Sequence, residues 1–184
     1  MNPTKKSPDL IPLRNQSTWS RSARTHIPSE TSVRALNALV NRAARLALDQ
    51  TLKNKTNSLF PALVEQPDLQ TSGFVLDISW TDDEEIRVYN RDYRGKDRAT
   101  DVLSFPFWEG ETLFEGDEMP LGDLVLSLET AIRQAQELKH SLQHELAFLT
   151  IHGVLHLLGF DHDTPSKRRA MFSWQDELSA RFSG

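Results

Sequence analysis

The sequence predicts an α+β fold: a single domain in which a mixed β-sheet of about four strands packs with helices. Three observations predict it. A chain of 184 residues suits one domain, large enough to bury roughly two thirds of its unfolded surface. Short alternating or apolar runs, "GFVLDISW", "VLSFPF" and "LGDLVLSL", read as strands. Segments with helical spacing lie between and after them without the strict alternation that a doubly wound fold requires.

Taken in order, residues 1–30 are rich in Ser, Thr, Pro and Arg and show neither period, which predicts a mobile N-terminal tail, with residues 31–184 as the single domain. The excess of Lys5, Lys6, Arg14, Arg21 and Arg24 over Asp9 and Glu30 would also suit an organelle transit peptide, but four prolines oppose the amphipathic helix it needs. From Val33 to about Leu52, the residues Leu36, Leu39, Val40, Ala43 and Ala47 recur at helical spacing. In the first strand, Phe74, Leu76, Ile78 and Trp80 alternate with Val75, Asp77 and Ser79, the period of a half-buried strand. A helix follows, opened by Thr81 with Glu84 three residues on, the spacing of a capping box. Ile86, Tyr89 and Tyr93 share one face of it, which places them in the core. Two further strands flank the acidic loop "WEGETLFEGDEMP". Helices over Glu129–Leu138, Ser141–Leu158 and Pro165–Arg181 complete the fold, and Met171 falls on the apolar face of the last.

Composition narrows the chemistry. The chain has no cysteine, which excludes disulfides and thiolate ligands and suits a reducing cytoplasm; any metal must be held by imidazole and carboxylate. No apolar run approaches the ~20 residues needed to span a bilayer, so no membrane partner is expected. A net charge of −5 leaves nucleic-acid binding to a local basic patch.

The chemistry concentrates in "LTIHGVLHLLGFDH". His152 and His156 stand at i and i+4, on one helix face, and can point at one ion. Gly159 can take a left-handed conformation that ends the helix and returns the chain, bringing His162 to the same point. Three imidazoles on a tetrahedral ion leave one position open, the pattern of a catalytic Zn²⁺. The spacing is that of the metzincin proteases, HExxHxxGxxH, giving a zincin-like metal-site helix, except that Gly153 stands where those enzymes place the glutamate that activates water. A site without that base is suited to hydrolysis of some bond other than the peptide bond.

Here "HGVLHLLGFDH" resembles the HGxLHLxGYDH signature of the YbeY-type rRNA-maturation endoribonucleases, with Phe160 in place of the usual Tyr. "NRDYRGKDRATDVLSFPF" is similar to the family's N-x-x-Y-R-x-K-D-x-x-T-D-V-L-S-F-P segment, and "LGDLVLSLETA" to its GDIxIS strand. The departures are the segment before about residue 30, the longer acidic loop, and "MFSWQDEL" where the family has a Glu-rich helix. The resemblance implies a single-domain, cytoplasmic, zinc-dependent endonuclease that cuts single-stranded RNA in 16S rRNA maturation and ribosome quality control, with an rRNA precursor and the ribosome or its small subunit as partners. It implies His152, His156 and His162 as ligands of one Zn²⁺ and Arg94 as a catalytic residue. Arg94 agrees with the local composition: Arg87, Arg91, Lys96 and Arg98 surround it and Tyr89 and Tyr93 interleave, which suits a phosphate backbone with unpaired, stacked bases. The plainer alternative is a solvated helix face.

Other features have plain readings. His140 and His144 are expected at the surface, and His26 in the tail. Asp161 either orients a ligand histidine or bonds its own turn. The acidic loop is a solvated connection, or it holds a second cation or excludes the wrong strand. No general base is visible. Two rival classes remain: a zinc hydrolase of a non-RNA substrate, and a ribosome-associated binding module with structural zinc. Only neutral imidazole binds metal, so zinc loss is expected below about pH 6.

Overall fold

The computed structural model describes residues 13–54, 73–107 and 118–183. Its elements are β1 (Leu13–Trp19), a short 3₁₀ helix (Ala23–His26), α1 (Val33–Lys53), β2 (Gly73–Thr81), α2 (Asp83–Arg94), β3 (Val102–Pro106), β4 (Glu118–Ser127), α3 (Leu128–Glu137), α4 (Leu142–Leu157) and α5 (Pro165–Ser183). The four strands form one mixed sheet in the order β1-β2-β4-β3. β1 and β4 both run parallel to β2, and β3 pairs antiparallel with β4. The expected α+β class and mixed four-stranded sheet are therefore what the chain forms.

The sheet follows from the alternation in its strands. Phe74, Leu76, Ile78 and Trp80 of β2 and Leu124 and Leu126 of β4 are buried, with Asp77 and Asp123 exposed side by side. Against this sheet packs α4, which also touches α1, α3 and α5 and so occupies the centre of the molecule. Its sequence explains that place: Leu146, Ala147, Leu149, Ile151, Val154, Leu155 and Leu157 are all buried, an apolar surface almost all the way round. The half-buried residues of its last three turns, Phe148, His152 and His156, recur every four positions and form one stripe.

Three expectations need correction. Residues 13–30, expected to be part of a mobile tail, supply β1 and the 3₁₀ helix; residues 1–12 lie outside the described residues. The inward positions of β1 are Leu13, Asn15, Ser17 and Trp19, two of them polar, so no apolar alternation marks the strand. Contacts distant in sequence hold it: Trp19 stacks on Trp80 at 4.6 Å, both indole N–H groups donate to Asn37 of α1 at 3.0 Å, and Arg45 donates to the Leu13 carbonyl at 2.9 Å. The capping box of α2 lies one residue later than expected, on Asp82 and Glu85, because the Thr81 hydroxyl is still in the sheet, donating to the Leu126 carbonyl at 3.1 Å. Finally, Ile86 is buried but Tyr89 and Tyr93 are 39% and 68% exposed: α2 rests on the sheet through Ile86, against Leu103 and Val125, and leaves both tyrosines largely in solvent.

Candidate active site

The stripe on α4 opens into a cleft. His152 and His156 present their Nε2 atoms to each other at 3.1 Å. The helix stops one residue past Leu157, and Gly159, at φ 83°, turns the chain back while the Phe160 N–H donates to the Leu155 carbonyl at 2.9 Å. Phe160 buries itself in the core and fixes the turn. His162 thereby returns to the other two, with ring centroids 5.0 Å from His156 and 5.8 Å from His152. One ring nitrogen from each of the three lies within 4.8 Å of the others, so the group could hold a metal ion.

The donor set fits one particular class of ion. A tetrahedral ion with nitrogen bonds of about 2.0–2.1 Å holds imidazole nitrogens roughly 3.4 Å apart, close to the separation already set between His152 and His156. Three neutral nitrogens suit zinc and its neighbours, whereas magnesium and calcium take oxygen. Burial favours the neutral, ligating form: it lowers the pKa of His152, and that of His156 to about 4, where His152, His162 and Arg94 add repulsion.

Two walls complete the cleft. On one side α5 places Phe172 against the rings of His162 and His152, at 6.0 and 6.2 Å between centroids. On the other stand Arg94, at the end of α2, and Thr100, Asp101, Val102 and Ser104 leading into β3. Within the basic segment, Arg87 grips Asp97 through two bonds of 2.7 and 2.9 Å and Arg91 bonds Asp92 at 2.8 Å. Arg94, exposed at the rim, makes no such bond among the described residues. The cleft measures about 240 Å³, below the roughly 300–1,000 Å³ of pockets that engulf a drug-sized ligand, and so suits the reacting part of a longer chain.

The glycine at the glutamate position has a packing cause. A Cβ on Gly153 would lie 2.4 Å from Leu124 Cδ2 and 3.4 Å from Val102 Cγ2. Position 153 thus faces the sheet, and a side chain there requires Leu124 to shift.

Other residues settle differently. Asp161 accepts a bond from the His162 backbone N–H at 2.7 Å, so its oxygen serves the turn. His144 is exposed; His140 is half-buried and pairs with the buried Glu145 at 2.9 Å. His26, expected in the tail, sits in the 3₁₀ helix, and Met171 is buried in the core as expected. Most of the acidic loop lies outside the described residues. Sequence reasoning missed Asp101, whose carboxylate braces the cleft wall by accepting bonds from Val102 N–H at 2.8 Å, the Thr100 hydroxyl at 3.1 Å and Gln134 Nε2 at 3.0 Å. It also missed Gln175, whose Oε1 lies 2.9 Å from His152 Nδ1. The signal for Gln175 was present: with Met171, Trp174 and Leu178 it sits at positions i, i+3, i+4 and i+7, a polar residue on a core face.

The chain is similar to known proteins along most of its length. The profile of the family described as Endoribonuclease YbeY matches residues 38–183. The chain is 50% identical over 115 residues to an Endoribonuclease YbeY of Geobacillus thermodenitrificans, covering 60% of this chain and 74% of that one. It is 44% identical over 145 residues to that of Bacillus mycoides, covering 73% and 93%. The solution structure of TM1509 from Thermotoga maritima aligns over 93% of this chain and 91% of that one, at 19% identity and a TM-score of 0.48. Because the family profile spans β2, β3 and β4, the histidine helix and the closing helix, well over half of the chain, the chain belongs to the Endoribonuclease YbeY family.

Proposed function

We propose that this chain is a zinc-dependent endoribonuclease, a phosphodiester hydrolase acting in the cytoplasm on single-stranded RNA, in 16S rRNA maturation and ribosome quality control. The observation that carries the reading is the convergence of three imidazoles beneath an arginine unbonded among the described residues, in an open cleft. His152, His156 and His162 would hold one Zn²⁺, and zinc so bound supplies Lewis acidity and a water of lowered pKa. Arg94 lines the same cleft, and its planar fork would bind two oxygens of the scissile phosphate and offset the charge that develops there. Phe172 and Phe148 line the cleft and give it apolar walls beside the histidines. Tyr93, exposed next to Arg94 and stacked with Tyr89 at 6.3 Å, offers a face to an unpaired base, which favours single strands over duplex. The ribosome or its small subunit would be the assembly that presents the substrate.

The test is zinc content together with cleavage of a single-stranded RNA, for wild type and His156→Ala. The expected result is about one zinc per chain in the wild type, and loss of both zinc and cleavage in the variant, since three ligands are the minimum of a catalytic zinc site. A variant that keeps full metal-dependent cleavage would remove the site assignment. Cleavage of peptides or small esters with RNA left intact would establish a different hydrolase, and melting of the fold on chelation without any cleavage would establish structural zinc.

A further inference from the structure

Helix α5 turns Met171, Trp174, Gln175 and Leu178 toward the interior, and Gln175 is 0% exposed. Its two amide ends are treated unequally. Oε1 lies 2.9 Å from His152 Nδ1, while Nε2 is buried with no hydrogen-bond partner among the described residues. An apolar side chain would fill this position without leaving a buried donor unsatisfied, so the amide is retained against its own cost for the single bond that it makes.

That bond has a chemical consequence. A carbonyl oxygen only accepts, so Nδ1 of His152 must carry the ring proton. In a neutral imidazole the other nitrogen then holds a free lone pair, and that nitrogen is Nε2, the atom facing His156 at 3.1 Å. The reversed amide, donating its N–H to Nδ1, would force the ring proton onto Nε2 and remove His152 from any ligand set. One turn earlier on the same helix, Phe172 lies against the His152 ring with an interplanar angle of 25°. Gln175 thus fixes the proton and Phe172 the plane.

We infer that Gln175 is a positioning residue: it locks His152 in the Nδ1–H form and presents Nε2 to the metal, an inference that rests on the reading of the three histidines as a zinc site. An outer partner of this kind usually changes metal affinity by about 10–100-fold when it is removed.

Two measurements test it, and only one requires metal. Long-range nitrogen–proton NMR on the metal-free wild type, at a pH where the imidazoles are neutral, should show His152 protonated at Nδ1, opposite to the preference of free histidine. Zinc affinity, measured by competition with a chelator, should fall about 10–100-fold in Gln175→Leu and Gln175→Met, while Gln175→Glu, which keeps an acceptor, holds zinc within about threefold of wild type or more tightly. An Nε2–H tautomer in the wild type overturns the inference, whether or not the variants fold. So does a folded Gln175→Leu that binds zinc within about twofold of wild type, well short of the expected loss. Wild-type protein that binds no zinc yet shows the Nδ1–H form would sink the zinc reading and uphold the hold of Gln175 on the ring.

Discussion

Helix α4 is enclosed by the sheet and three other helices, whereas the segment carrying Arg94 stands in solvent. The histidines therefore inherit their geometry from the core: Gly153 lets the helix approach β4, Phe160 anchors the return turn, and Gln175 and Phe172 hold the rings from α5. Arg94 inherits almost nothing from the core, since α2 is anchored through Ile86 and Asn90 and ends at Gly95, in the left-handed conformation at φ 67°. The difference teaches that changes on the histidine side must register in stability as well as chemistry, while changes at Arg94 must register in chemistry alone.

The largest effect on stability is expected from Gly153→Glu. Overpacking of this kind costs about 1–3 kcal/mol before the burial of an unpaired carboxylate is counted. At about 2–4 °C per kcal/mol for a domain of this size, thermal melting should fall by several degrees or more. The variant should also gain no useful peptidase activity, because a base alone does not supply the cleft that binds an extended peptide and polarises its carbonyl. Unchanged melting with efficient peptide hydrolysis would show that the packing between α4 and β4 has been misread.

A smaller effect follows from acidification. The pKa of His156 lies near 4 when folded, against an ordinary value of 6.5, and that of His152 is lowered too, both chiefly by burial. Below the ordinary value the unfolded chain takes up protons that the folded chain refuses, so the metal-free protein should lose stability as pH falls from 6.5 toward about 4. The same burial protects His152 and His156 from proton competition, so zinc release should move below the pH of about 6 that free histidine suggests. Melting of the metal-free protein and zinc content across this range check both statements; a flat melting curve over that interval would contradict the burial argument.

The histidine constellation was legible in the sequence because it is local: an i, i+4 pair and a glycine turn define it without reference to the rest of the fold. The strands β2, β3 and β4 were legible for the same reason, each carrying its own apolar pattern. β1 was not, since what makes it a strand is its parallel register with β2, from Leu13 beside Phe74 to Trp19 beside Trp80, and an apolar pattern broken at Asn15 and Ser17 carries no trace of that pairing. The tyrosines were misplaced because helical periodicity shows which residues share a face but not how deeply that face is pressed into the core. Gln175 was passed over among its apolar neighbours, and only its contact with His152, 23 residues earlier, gives it meaning.

The smallest effect on stability, and the sharpest on chemistry, belongs to Arg94. As an exposed side chain unbonded among the described residues, it should be replaceable by alanine at a cost below about half a kcal/mol, with zinc content unchanged. Lysine keeps the charge but not the planar fork, so Arg94→Lys should recover only part of the cleavage that alanine loses. The measurement that bears most directly on the account is single-turnover cleavage of a single-stranded RNA by Arg94→Ala, made at a zinc content and melting temperature matched to wild type. A loss of roughly 10²-fold or more, comparable to removal of an oxyanion donor, is the result the cleft geometry predicts; cleavage within about threefold of wild type, far short of that loss, would contradict it and leave the basic segment as a docking surface only.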